Sequence, residues 1–256
     1  MRLLLLAFIL FLTNFVTARE LESPHKGAKF QKIKDELTFF DAYDPVERMN
    51  RRIYKFNIQA DTYVVKPLTD AYQFITPDIV EKGIHNFFSN LMQLPVLVNS
   101  ALQFKGEKAV KTTGRLVVNL TVGVLGLWDP ATKWCGMIKY NEDFGQTLGF
   151  YGVPTGPYLV LPIIGPSNCR DALGYAVDSF GLSLLYPNDT PFGVKTGVAA
   201  LQLVDTRANA TIMYGQFDTL FEYEKMRGLY LHARELLVND GRIIENSKKK
   251  QQEKSK

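Results

Sequence analysis

Hydrophobic positions recur along most of this chain at steps of three and four, the spacing that sets them on one face of an α-helix. The first strong stripe follows Asp44: Val46, Met49, Ile53, Phe56, Ala60 and Tyr63 share a face, and Arg48, Arg51, Arg52 and Lys55 lie mostly off it. Asp44 is placed to cap, Pro45 suits the first helical position and Glu47 completes a capping-box pattern, so a helix is predicted from here to the approach of Pro67. Core packing accounts for the stripe, while the basic residues near its start could also meet phosphates. Thr76-Pro77 repeats the start signal ahead of Ile79, Val80, Ile84, Phe87 and Phe88. Residues 90–104 are apolar but interrupted by Pro95, which predicts two helices or a kink. Residues 107–126 read as a helix that becomes very apolar, although their Val-rich LVVNLTVGV would also suit a strand. Further helices are predicted over 171–186, over 194–214 with Val194, Val198, Leu201, Leu203 and Val204 on or near the buried side, and after a second capping box at Thr219 and Glu222. That last helix carries Leu220, Tyr223, Met226, Tyr230, Ala233 and Leu237 at helical spacing and stops at Gly241.

Residues 127–170 break the rhythm. Gly136, Gly145, Gly149, Gly152, Gly156 and Gly165 alternate with Pro130, Pro154, Pro157, Pro162 and Pro166. Such density disfavours a regular helix or a central strand, yet the centre of the stretch, FGQTLGFYGVPTGPYLVLPIIGPSNCRD (144–171), is strongly apolar. Buried irregular backbone must have its polar groups satisfied. The segment is therefore either a rigid internal loop or an apolar surface offered to a ligand.

The chain opens with MRLLLLAFILFLTNFVTA, in which Arg2 precedes an unbroken apolar run from Leu3 to Leu12 and small residues end at Ala18. This is the pattern of an export signal over residues 1–18, cleaved before Arg19 or retained as an anchor. Residues 19–43 read as a loosely ordered lead-in, 44–241 as one helical domain and 242–256 as a basic tail. The tail holds six basic and two acidic residues, which is the whole net charge of +4, so the rest of the chain sums to zero. No basic face follows, and nucleic acid is not an expected partner. The tail is a solvated end or a segment that brushes anionic headgroups or a partner. Cys135 and Cys169 could form one disulfide in an oxidising compartment or stand as two separate thiols. Several helices are apolar on more than one side, while no segment after the signal reaches eighteen uninterrupted apolar residues; shallow placement in one membrane leaflet reconciles the two.

Recognisable catalytic chemistry is missing. His25, His85 and His232 fall in no metal-binding spacing, no GxSxG elbow is present, and Gly145, Gly149 and Gly152 lack the context of a nucleotide loop. Ser167 in GPSNC looks like turn chemistry, and Arg170 with Asp171 reads as an ion pair or helix cap. No enzyme activity, metal or cofactor is expected.

YDPVERMNRRIYKFN (43–57), residues 86–129 and FGQTLGFYGVPTGPYLVLPIIGPSNCRD (144–171) resemble, in this order, the signature regions of the MlaA (VacJ) family. The resemblance spans roughly residues 41–241. It implies an all-α, ring-like, membrane-embedded body with a glycine-rich irregular segment. It also implies a role in the outer membrane of Gram-negative bacteria: an amphipathic channel that removes misplaced phospholipids from the outer leaflet. Phospholipids, a trimeric porin and a soluble periplasmic carrier are the implied partners; a non-conducting envelope protein is the alternative. On that reading Tyr151, Gly152, Val153, Gly156, Pro157 and Tyr158 lie near the lipid path, and Asp44, Pro45, Glu47, Asn50, Arg51, Phe56 and Asn57 serve architecture through capping, packing and polar pairing. Three departures stand out. No cysteine follows the signal segment, where the family usually carries its lipid anchor; Arg48 stands where glycine is common; and Cys169 sits in a loop that normally lacks cysteine.

Overall fold

The computed structural model describes residues 42–211 and 221–240. The expected signal segment, most of the lead-in, Thr219 of the second capping box and the basic tail lie outside them. Helices α1 (Glu47–Ala60) and α2 (Lys66–Ile75) are joined by a π-helical turn, Asp61–Val65, and α3 (Asp78–Leu91) follows. Then come α4 (Gln93–Leu102), α5 (Gly106–Thr121), the single turn α6 (Pro130–Lys133) and α7 (Phe144–Phe150). Strands β1 (Tyr158–Leu161) and β2 (Gly165–Asn168) pair antiparallel, with Tyr158 opposite Asn168 and Leu161 opposite Gly165. Helices α8 (Cys169–Ser183), α9 (Phe192–Ala208) and α10 (Glu222–Val238) complete the order.

Most helices fall close to where periodicity predicts them; α2 is the exception, since the predicted end before Pro67 is overrun and the chain continues helically to Ile75. The break ahead of Pro95 comes at Met92, so the proline sits in the first turn of α4, where its missing N–H costs no helical bond. LVVNLTVGV is helical through Thr121, then turns.

Two expectations are corrected. The chain is mostly helical but not purely so, because the glycine-rich stretch contains a short helix and a two-stranded sheet. Nor is the body the expected membrane-embedded ring: among the described residues no helix is long and apolar enough to cross a membrane, and the sheet is an open pair of strands.

A third correction concerns which face each helix buries. The apolar stripe of α1 leaves Phe56 exposed, and the buried residues are Asn50, Tyr54 and Asn57. Helix α5 buries Thr112, Arg115, Leu116 and Asn119 while Val117 and Leu120 are exposed. Helix α9 buries only Asp205, and Val194, Leu201 and Leu203 face outward. The interior is largely polar, and many of its groups are paired with one another, although some, such as Ser100 Oγ and Thr112 Oγ1, have no partner among the described residues. Arg115, 2% exposed, donates to Thr132 Oγ1 at 2.7 Å and to Asp129, and Asn119 donates to Asn90 Oδ1 at 2.8 Å and to Asp129 Oδ1 at 2.9 Å. Bonds of this kind are what make buried polar groups tolerable. Large apolar side chains, among them Phe74, Ile79, Phe104, Leu125, Phe180 and Phe192, are displayed instead.

Candidate functional site

The glycine-rich segment is held by side chains from the two ends of the domain. On α1, Asn50 and Asn57 are two turns apart and face the edge of β1. Asn50 Nδ2 donates to the Tyr158 carbonyl at 3.0 Å, and its Oδ1 accepts from Val160 N at 2.9 Å. Asn57 repeats the arrangement with the Leu161 carbonyl at 3.0 Å and Ile163 N at 2.8 Å. Two carboxamides thus do for β1 what a third strand would do, each offering one donor and one acceptor. Edge groups that would otherwise be left open are satisfied.

Asp44 was expected to cap α1. Instead α1 begins at Glu47 behind Val46, with no side-chain cap. The carboxylate of Asp44 lies inward, where it accepts from Asn50 Nδ2 at 2.8 Å, from the Tyr223 hydroxyl and from Arg227 Nη1 at 3.1 Å. Burial, together with this carboxylate, pushes the Tyr223 hydroxyl well above the ordinary phenol range. Capping of α1 is lost because Asp44 is used to tie α1 to α10. Glu47 and Arg51 form an ion pair one turn apart, and Arg51 also reaches Glu224 on α10. Pro45 lies in the exposed turn before the helix.

The helices flanking the segment are capped by residues that periodicity alone does not single out. Asp143 accepts from Gln146 N at 2.9 Å at the start of α7, and Asn168 accepts from Asp171 N at 2.8 Å at the start of α8. The guanidinium of Arg234, from α10, spans the two helices, reaching Asp171 Oδ2 at 2.7 Å and Asp143 Oδ2 at 2.6 Å. Burial works against charge at both carboxyls, but the bonds and charge of Arg234 prevail and hold both below the usual carboxylate range. Asp178 has no such partner, and burial pushes its carboxyl up. The α7–α8 crossing is close enough that a Cβ on Gly174 would lie 2.2 Å from Gly145 N.

Of the six positions expected along a lipid path, three form an exposed group just after α7. Tyr151 is exposed and donates its hydroxyl to the Leu102 carbonyl at 2.7 Å; Gly152, at φ +83°, turns the chain away from α7; Val153 is exposed beside it. A side chain at φ +83° would be strained. Gly156, at φ +71°, and Pro157 lie over Cys169: a Cβ on Gly156 would sit 3.1 Å from Cys169 Cβ, and the Pro157 carbonyl accepts from Cys169 N at 3.1 Å. Tyr158 points the other way. It is 1% exposed and packs edge-on against Tyr223 and Tyr230 at ring separations of 6.1 and 6.3 Å. Cys135 and Cys169 are both free thiols, so the possible disulfide is not formed.

Asn90, Asn119, Arg115, Tyr54, Arg227 and Arg234 went unmarked in the sequence. A polar residue repeating at helical spacing is a buried-face signal once the interior is polar; Asn50–Tyr54–Asn57 and Arg115–Asn119 show it. The described residues contain no group of three or more His, Cys, Asp or Glu side chains able to hold a metal ion.

The family model for the MlaA lipoprotein matches residues 42–237. An uncharacterized protein of Rickettsia typhi is 32% identical over 208 residues, 81% of this chain and 82% of that one. The intermembrane phospholipid transport system lipoprotein MlaA of Escherichia coli K12 is 30% identical over 204 residues, 78% of this chain and 80% of its own length. A solved structure that addresses the maintenance of bacterial outer membrane lipid asymmetry superposes with a TM-score of 0.64 at 29% identity, covering 76% of this chain and 98% of that one. With a family match over three quarters of its length and relatives covered over about four fifths of theirs, this chain belongs to the MlaA lipoprotein family.

Proposed function

We propose that this protein is the outer-membrane component of an intermembrane phospholipid transport system and helps maintain lipid asymmetry. The observation that carries the reading is the inverted distribution of polarity: amides and charges fill the interior, and large apolar side chains cover the outside. Such a surface is matched to acyl chains, and patches this extensive mark interaction sites. The E. coli relative carries the same role in its name. The role requires no covalent step.

Within it, Tyr151, Gly152 and Val153 form the surface a lipid passes, with Gly156 and Pro157 holding the turn behind them. The Tyr151 hydroxyl offers polarity to the headgroup side, while Phe150, 5.2 Å from it ring to ring, offers apolar area. The protein works at the periplasm-facing side of the outer membrane, with a porin and a soluble carrier as partners. Its apolar surface contributes to attachment. Deletion of the gene should place phospholipid on the cell surface, and unchanged asymmetry would sink the role. Photo-crosslinkers at Tyr151 and Val153 should capture phospholipid in the native envelope, whereas one at buried Tyr158 should not. Equal labelling at all three positions would remove the path.

A further inference from the structure

A cavity of ≈ 550 Å³ is lined by residues that are all polar or charged, none of them among the expected lipid-path positions. Helix α3 supplies Asp78, Glu81 and Lys82 from its first two turns, α6 and its cap supply Asp129 and Lys133, and Asn209 closes it from the end of α9. Some of these groups are already committed. Asp129 is bonded to Arg115, Asn119 and Thr132, and Glu81 accepts from Gln73 at 3.1 Å. Three charged ends are not. Asp78 and Lys82 stand one helical turn apart, the spacing that commonly forms an ion pair, yet neither is engaged by another described residue. The Lys133 ammonium has no carboxylate partner among the described residues and sits 5.9 Å from the centre of the Trp128 ring. Two ammoniums and one carboxylate therefore face a shared space with their charges unspent.

The surroundings of this cavity matter as much as its charges. The chain neighbours of its lining are exposed and apolar: Ile79 and Val80 follow Asp78, Leu127 and Trp128 precede Asp129, and Trp134 follows Lys133. Trp128 and Trp134 stack edge to face at 4.7 Å. A charged hollow whose chain neighbours are exposed and apolar fits a molecule with a charged head and apolar tails.

We infer that this cavity is a subsite for the headgroup of a zwitterionic phospholipid of the phosphoethanolamine class. Lys82 and Lys133 take the phosphodiester, and Asp78, with Glu81 beside it, takes the ammonium. A purely anionic head would satisfy the lysines but leave Asp78 facing a neutral or negative group, so the net balance of the cavity selects the zwitterion. The inference rests on the phospholipid-transport reading and adds to it a choice among headgroups.

The full-length chain, purified in a non-ionic detergent, is titrated with glycerophosphoethanolamine, glycerophosphoglycerol and inorganic phosphate, and its co-purified lipids are identified by mass spectrometry. Glycerophosphoethanolamine should bind roughly tenfold more tightly than either of the others, the step expected of one added charge-assisted contact. The double variant Lys82→Gln/Lys133→Gln should lose glycerophosphoethanolamine binding by about tenfold or more. Asp78→Asn should bind the two glycerophosphodiesters equally well. All three residues are exposed, so these variants should melt with the unmodified chain. Unchanged binding in the double variant, or a retained preference in Asp78→Asn, overturns the subsite. Inorganic phosphate binding as tightly as glycerophosphoethanolamine also overturns it and leaves a free-anion site. A chain that carries no phospholipid at all would instead remove the transport reading, whereas a bound-lipid profile identical in the chain and its variants removes only the subsite.

Discussion

Helices α1 and α9 each carry an apolar stripe, and they are docked by different means. Helix α1 buries Asn50, Tyr54 and Asn57 along three turns, so both ends of it are fixed to β1. Helix α9 buries only Asp205 and is held near its C-terminal end, where Asp205 meets His85 at 3.1 Å and Arg207 meets Asp61 at 2.6 Å. Its N-terminal half displays Phe192, 84% exposed, and Val194. In neither helix is the apolar stripe as a whole the buried side: in α1 Ile53 packs against the buried tyrosines while Phe56 is exposed. Polar side chains supply most of the ties that locate both helices, and much of the apolar area is left for the surroundings. The difference is one of density: among the described residues the α1–β1–α10 region is cross-tied at many points, whereas α9 is tied through Gln202, Asp205 and Arg207.

The largest test of that contrast is Arg234→Leu. It removes the cation shared by Asp143 and Asp171 and leaves two largely buried carboxylates without their partner, an arrangement that costs about 4 kcal/mol. A urea titration at neutral pH should show the midpoint falling accordingly. The pH dependence follows from the depressed Asp143 and Asp171 values. A carboxyl whose folded value is lowered stabilises fully above its unfolded value, about 3.9, and loses that contribution as pH falls through the folded value. Without Arg234 burial is opposed only by weaker partners, Gln146 at Asp143 and Tyr230 and Arg170 at Asp171, so both carboxyls are depressed less and the variant has less stability to lose on acidification. The gap between the two proteins should therefore narrow below about pH 4. A gap that stays constant on acidification would mean that Arg234 acts through packing alone.

Asn50→Ala comes next. It strips β1 of a donor and an acceptor at once, at the Tyr158 carbonyl and Val160 N, and takes one bond from Asp44, which keeps those to Tyr223 and Arg227. Each buried group left unpaired costs about 1–3 kcal/mol, so about 3 kcal/mol in total is expected. Hydrogen exchange should speed at Val160 and Ile163 before it does in α9. Faster exchange in α9 first would reverse the ranking of the two regions.

The helices were legible in the sequence because their evidence is local: Pro67, Pro77 and Pro95 punctuate them, and the three-and-four spacing survives whichever face is buried. The buried face was not legible, because an apolar stripe is ordinarily an inside signal, and here Phe56, Val117 and Val194 are outside. The hairpin was hidden for a different reason. Strand β2 reads GPSN, with no strand propensity, and β1 is stabilised by Asn50 and Asn57, about a hundred positions earlier. Only Tyr158 and Val160, alternating inward, carried a local sign of it. At the expected lipid path the sequence could not separate exposed Tyr151 from buried Tyr158, since each lies beside a glycine or a proline in similar apolar company.

Arg207→Met probes the weaker region. Its guanidinium makes two bonds to Asp61, at 2.6 and 3.0 Å, both groups being partly shielded. Partial exposure discounts the loss to about 1–2 kcal/mol. Exchange should accelerate along α9 and leave β1 unaltered, separating the two regions by their response.

The smallest effect on stability should come from Phe192→Ser. A highly exposed side chain contributes little to folding, so the urea midpoint should move by no more than about 0.5 kcal/mol. In an ordinary soluble domain that substitution would be silent or mildly helpful, since it removes apolar area from water. Here the loosely tied half of α9 is where an apolar surface can meet acyl chains without straining the cross-tied region around β1. The same variant should therefore complement a deletion poorly, with phospholipid persisting at the cell surface although the protein is folded and present at normal levels. Full complementation would mean that the apolar face of α9 is not used for lipid contact, and the contrast with α1 would then be one of stability alone.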